Sequence, residues 1–160
     1  MRRIVLITTT FYLSILIFLG YLLKDTMELH DFDYVHASFQ NIFVNNIIVI
    51  NKSILFSIIT FGLYGILFLI RNAYSIAIYI GIFLSEPKYL IMIIPHGIFE
   101  IPMFILSISL SFKIILDIVT NNIKKNKYYL KILIAIELII FFSAIIESSI
   151  TPYISNEILF

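Results

Sequence analysis

From Ile4 to Leu23 the chain runs 20 residues without one charged side chain, and that stretch limits the possible folds more than any other feature. At about 1.5 Å per residue, a helix of this length crosses the roughly 30 Å hydrocarbon core of a bilayer. Further apolar runs follow over 53–70, 73–84, 89–116 and 132–150. Composition agrees: 61% of residues are hydrophobic and 13% charged, with mean hydropathy +1.03. A soluble domain carries about 45–50% apolar and about 25% charged residues, and 160 residues cannot hide the excess in one core. The chain therefore reads as one all-α, polytopic membrane domain over residues 1–160, with about five transmembrane helices.

Charge and residue usage exclude several function classes. The net charge of +1 provides no basic field for nucleic acid. The absence of cysteine removes disulfides, thiolate metal sites and cysteine nucleophiles. Tryptophan is also absent, which leaves ten tyrosines as interfacial anchors.

Met1-Arg2-Arg3 ahead of an apolar run resembles a signal sequence, but the run has full spanning length, and Lys24-Asp25-Thr26-Met27-Glu28 follows in place of a small-residue cleavage site. The expectation is an uncleaved first helix with its N-terminus in the cytoplasm. Lys24–Asn46 is a polar connection carrying Asp25, Glu28, His30, Asp31, Asp33 and His36. With no ligand motif, it reads as a solvated acidic loop, with an interfacial helix near Val35–Val44. Asn45-Asn46 opens the second run, which Arg71 stops. Gly62 and Gly65 give that helix a smooth strip, and Ala73, Ala77 and Gly81 repeat small residues every fourth position on the next, both suited to close helix packing.

The fourth run holds Pro95-His96-Gly97-Ile98-Phe99-Glu100-Ile101-Pro102. Proline lacks a backbone donor, so a break in the fourth helix is expected at Pro-His-Gly. His96 and Glu100 lie four apart, on one helix face. Counted from Lys88, His96 lies about 12 Å deep and Glu100 about 18 Å; Glu147, counted from Pro152, lies about 7–8 Å deep. Lys113 and Glu137, both near the opposite side, are placed to pair. Ionisable residues at such depth mark candidate functional sites. Glu100 is either a neutral, hydrogen-bonded strut or part of a proton relay, a substrate site or a metal site. The metal reading lacks a third ligand, and no HExxH, GxSxG or Walker motif occurs, so neither an enzyme nor a bound cofactor is expected.

The Pro-His-Gly-x-x-Glu-x-Pro string, Asn45-Asn46 ahead of it, and Ile146-Glu147 followed by Thr151-Pro152 resemble the stage II sporulation protein M family over roughly Asn45 to Pro152. The resemblance implies a non-enzymatic, multi-spanning bacterial cell-membrane protein. Its namesake scaffolds an engulfment complex with peptidoglycan hydrolases; relatives stand beside circular bacteriocin genes, tied to export, maturation and immunity, and beside ABC ATPases. The site candidates are thus Asn45, Asn46, Pro95, His96, Gly97, Glu100, Pro102 and Glu147. The expected partners are lipid and other membrane or envelope proteins, with self-association open. The alternative is a small transporter or channel subunit built on the His/Glu site, working with an ABC ATPase.

Sidedness is testable from charge. With the N-terminus inside, Arg2, Arg3, Arg71 and the loop of Lys124, Lys125, Lys127 and Lys131 all fall inside, as the positive-inside rule requires. A reporter active only in the cytoplasm should work when fused after Asn122 and fail after Asp33 or Phe160. Activity at Asp33 would overturn this topology.

Overall fold

The computed structural model describes residues 1–23, 38–85, 90–123 and 126–159, and within them every regular element is helical. In chain order these are α1 (Arg2–Leu23), α2 (Phe39–Ile59), α3 (Leu63–Ser85), α4 (Leu90–Val119) and α5 (Asn126–Leu159). Among the described residues, four helices contain stretches long and apolar enough to cross a membrane; the described apolar part of α3 runs over Leu63–Ile78. The molecule is a helical membrane bundle. The acidic residues expected in a loop, and Glu86, Pro87, Lys88, Lys124 and Lys125, lie outside the described residues.

The bundle is built around α4, which packs against all four other helices. Within the apolar windows, 56% of α4 is buried but only 11% of α1, so α4 is the centre and α1 a lipid-facing wall. Met103, Ile108 and Leu110 of α4 meet Tyr12, Ile50, Leu69, Ile136 and Ile140 in the core. Leu6, Ile7, Ile17 and Phe18 of α1 point outward, which suits hydrocarbon and not water.

Close approach rests on serine as much as on glycine. Ser53 and Ser57 of α2 and Ser107, Ser109 and Ser111 of α4 have no exposed surface. Their hydroxyls mostly bond to carbonyls of their own helix: Ser53 Oγ donates to Ile50 O at 2.8 Å and Ser111 Oγ to Ser107 O at 3.0 Å. Ser111 Oγ also lies 3.5 Å from Ile54 O across the α2–α4 contact. A hydroxyl satisfied this way costs little in lipid and leaves a flat surface for a neighbouring helix. Thr8, Thr9 and Ser14 of α1 use the same device. Ala73 and Ala77 are likewise fully buried on α3. Gly81 continues that helix, with its surroundings outside the described residues.

Four expectations need correction. First, the apolar run expected as one span up to Arg71 is divided at Thr60-Phe61-Gly62, where α2 ends and α3 begins. Phe61 adopts φ 50° and Gly62 φ 95°. Gly62 N donates to Ser57 O at 2.7 Å and Phe61 N to Ile58 O at 3.2 Å. This paired arrangement closes a helix C-terminus through a left-handed residue. Thr60 Oγ1 then accepts from Tyr64 N at 2.9 Å and starts α3. Arg71 consequently lies inside α3, and Asn45-Asn46 inside α2, which starts at Phe39 behind its Ser38 cap. From Phe39 on, the residues expected in an interfacial helix are thus the start of α2 itself.

Second, α4 stays helical through Pro95, His96, Gly97 and Pro102. A proline removes one backbone bond, and a transmembrane helix tolerates that where neighbouring protein covers the freed carbonyl. Third, α5 likewise continues through Pro152 to Leu159. Fourth, Lys113 forms its ion pair with Asp117, one turn along the same helix, and not with Glu137. Tyr129 Oη donates to Asp117 Oδ2 at 2.7 Å, tying α5 to α4.

The glycines give a direct test of this packing. A Cβ on Gly65 would lie 2.8 Å from Ser57 Oγ and 3.1 Å from Ile108 Cγ2, whereas one on Gly20 would meet nothing within 4 Å. Gly65→Leu should therefore reduce the yield and melting temperature of detergent-purified protein, as overpacking costs typically about 1–3 kcal/mol. Gly20→Leu should match the parent. Equal behaviour of the two variants would show that the α2–α3–α4 contact is not tight.

Candidate functional site

Helix periodicity gathers polar residues of four helices along a shared set of faces, with Asn46, Asn72, Glu100 and Glu147 half-buried and Asn45, Lys52, Tyr64, Arg71 and Ser75 more exposed. On α2, Asn41, Asn45, Val49 and Lys52 follow one another at four, four and three residues, with Asn46 beside Asn45. On α3, Tyr64, Phe68, Arg71, Asn72 and Ser75 keep the same spacing, which places them on one face. Glu100 and Phe104 of α4 lie one turn apart, and Glu147 comes from α5.

These faces border two adjoining, partly open cavities. The larger, of about 600 Å³, is lined by Asn45, Asn46, Lys52, Tyr64, Arg71, Asn72, Ser75 and Glu100, together with apolar side chains including Phe68 and Phe104. The smaller, of about 380 Å³, is bounded by Asn41, Ile42, Asn45, Asn46, Glu100 and Glu147. Asn45, Asn46 and Glu100 belong to both, so they form the partition between them. The Phe68 and Phe104 rings pack edge to face at 5.3 Å and hold α3 on α4 just beside the larger cavity. Phe39 and Phe43 of α2 pack on Phe141 of α5 at 5.7 and 5.8 Å and close that side of the bundle.

The depth of the site follows from helix register. Asp117 and Tyr129 are hydrogen-bonded across α4 and α5. Glu100 is 17 residues before Asp117 and Glu147 is 18 residues after Tyr129, so at about 1.5 Å per residue both carboxylates lie about 25–27 Å along from that bond. Lys52 is seven residues before the end of α2 and Arg71 eight residues into α3, which puts both about 10–12 Å from the turn that joins these helices. The Phe112 ring of α4 lies against Gly62 in that turn. Glu100 is 12 residues before Phe112, hence about 18 Å from the same level. The site is thus layered: amides and carboxylates at one level, two cations nearer the α2–α3 turn.

Partners differ between the layers. Asn72 Nδ2 donates to Phe68 O at 2.7 Å. Tyr12 of α1, wholly buried, lies within electrostatic range of Glu100. Asn46 Nδ2 is buried with no hydrogen-bond acceptor among the described residues. Among the described residues, neither the Lys52 ammonium nor the Arg71 guanidinium has a hydrogen-bond or ion-pair partner. A charge at the centre of a transmembrane helix costs about 2.5–3.5 kcal/mol on insertion scales, which favours a cavity, a partner or the membrane interface over lipid; both cations are exposed and border the larger cavity.

Of the residues singled out from sequence, Asn45, Asn46, Glu100 and Glu147 come together here. Gly97 lies on α4, where, among the described residues, an added Cβ would meet only Ile101 Cδ1, at 3.9 Å. Pro102 is exposed on the same helix. Pro95 and His96 have helical backbone, and their side chains lie outside the described residues. Among the described residues no group of three or more His, Asp or Glu side chains is arranged to hold a metal. Lys52, Tyr64, Arg71, Asn72 and Ser75 escaped the sequence reading. Their three- and four-residue spacing would have revealed them, had the α2–α3 turn been recognised.

The convergence of α2 and α5 can be tested chemically, because the chain contains no cysteine of its own. Cysteines replacing Asn45 and Glu147 should be joined by a short bis-maleimide. The pair Leu55 and Glu147 should not be, since Leu55 points outward from α2. Equal cross-linking of both pairs would contradict the shared cavity.

A family model described as stage II sporulation protein M matches residues 5–152, from α1 into α5. An uncharacterized protein of Methanocaldococcus jannaschii is 33% identical over 138 residues, covering 78% of this chain and 77% of the relative. No solved structure matches. The chain belongs to the stage II sporulation protein M family.

Proposed function

We propose that this chain is a non-enzymatic component of a larger complex in the cell membrane, with its N-terminus cytoplasmic, and that the paired cavities are its working part. The observation that carries this reading is the convergence of Asn45, Asn46, Glu100 and Glu147, from three helices, on one intramembrane site. Amides and carboxylates at this depth are costly to maintain unless they contact a partner group, a ligand or water. A scaffold uses such a surface to recognise a polar group presented by another membrane component. Family membership supports a role in envelope remodelling with peptidoglycan hydrolases, or in bacteriocin export, maturation and immunity.

A second reading, a small transporter subunit driven by an ABC ATPase, is favoured by Lys52 and Arg71, which extend the polar wall toward the α2–α3 turn. Substrate sites of transporters lie among helices at such depth.

Affinity-tagged chain extracted from its native membranes separates the two. The scaffold reading predicts a stoichiometric envelope or membrane partner that is lost when Asn46→Leu fills the partition between the cavities. An ABC ATPase as the retained partner decides for transport. A chain that purifies alone under mild detergent contradicts both readings.

A further inference from the structure

We propose that the larger cavity is an oxyanion-binding site, with Lys52 and Arg71 as the paired cationic ligands and Asn46 as an amide donor. This rests on the reading of the cavities as the working part and names the chemistry of what enters them.

Four observations point the same way. Lys52 and Arg71 reach the cavity from two different helices at matching distances from the turn between them. Neither has an anionic partner among the described residues. Two cations share this cavity wall with one carboxylate, Glu100. Asn46 Nδ2, also on the wall, is a buried donor without an acceptor among the described residues. Together they offer an ammonium, a planar guanidinium fork and an amide N–H, all donors, around one space of about 600 Å³. An oxyanion supplies the acceptors that all three lack, and arginine meets such a group through two parallel hydrogen bonds. The carboxylates lie on the far side: Glu100 about a turn further from the α2–α3 turn than Arg71, and Glu147 in the adjoining cavity. They oppose an anion entering at that level and favour a ligand that turns a hydroxyl or ammonium group toward them. A phosphate carried by a lipid headgroup and a free soluble phosphate share this chemistry.

The full-length protein in uncharged maltoside detergent tests the assignment by thermal unfolding. One arm titrates inorganic phosphate against chloride at matched ionic strength. The other titrates short-chain phosphatidylglycerol against an uncharged diacylglycerol. A saturable rise in melting temperature in the first arm alone identifies a soluble anion; a rise in the second alone identifies a headgroup; a rise in both supports the oxyanion site for either source. Lys52→Gln and Arg71→Gln should each weaken the apparent affinity by at least about tenfold, the range of a lost charged hydrogen bond. Arg71→Lys, which keeps the charge and loses the fork, should fall between, and it serves if Arg71→Gln does not fold. No saturable response in either arm, or an undiminished response in the Lys52 and Arg71 variants, overturns the proposal. A chain that still holds its native partner while ignoring both anions defeats the ligand assignment and leaves the scaffold reading intact.

Discussion

Hydrocarbon donates and accepts no hydrogen bonds, so a chain that crosses a bilayer must satisfy its polar groups from within or gather them around a space of their own. This protein does both. The hydroxyls of Thr8, Thr9, Ser14, Ser53 and Ser107 turn back to carbonyls of their own helices, three or four residues earlier. Larger polar groups fold back less fully, although Asn72 Nδ2 still reaches Phe68 O. Asn45, Asn46, Lys52, Arg71, Asn72, Glu100 and Glu147 instead converge on two adjoining cavities. The same constraint thus yields smooth helix contacts where side chains are short and a polar interior where they are long.

The position of α4 makes that division possible. Its C-terminal half presents Ser107, Ile108, Ser109 and Ser111, all fully buried, and the neighbouring helices close on it there. Gly62 and Gly65 permit the approach of α3, because a side-chain carbon at either would collide with Phe112, or with Ser57 and Ile108. Toward its N-terminal half, Glu100 and Phe104 border the larger cavity. Lys113, Asp117 and Tyr129 bind α4 to α5 at the other end and set the register that brings Glu147 level with Glu100. A single helix therefore carries the tight contact, the cavity wall and the bond that aligns them.

Much of this is legible in the sequence. Length and apolarity of the runs dictate the bundle, carboxylates within them identify Glu100 and Glu147, and the family resemblance adds Asn45 and Asn46. The turn at Thr60-Phe61-Gly62 is hidden because its first left-handed residue is a phenylalanine in an apolar run, while Arg71 looks like a loop residue. Arginine is a strong boundary signal only when a helix has no polar cavity to receive it. The prolines mislead for a related reason: Pro102 and Pro152 each remove one backbone bond, and α4 and α5 continue past them. Which helix faces meet is a property of register, and register depends on contacts such as Asp117–Tyr129 that no local pattern encodes.

The central claim is that polar residues deep in α2 and α3 face a common space open to water and not lipid. Cysteine scanning of α3 with a small, water-soluble maleimide in intact membranes tests it most directly. Cysteines at Phe68, Asn72 and Ser75 should react, whereas those at Ile70 and Tyr74, which point outward, should not. Reactivity would then follow the helical period. Uniform protection along α3, or labelling confined to Ile70 and Tyr74, would contradict the account.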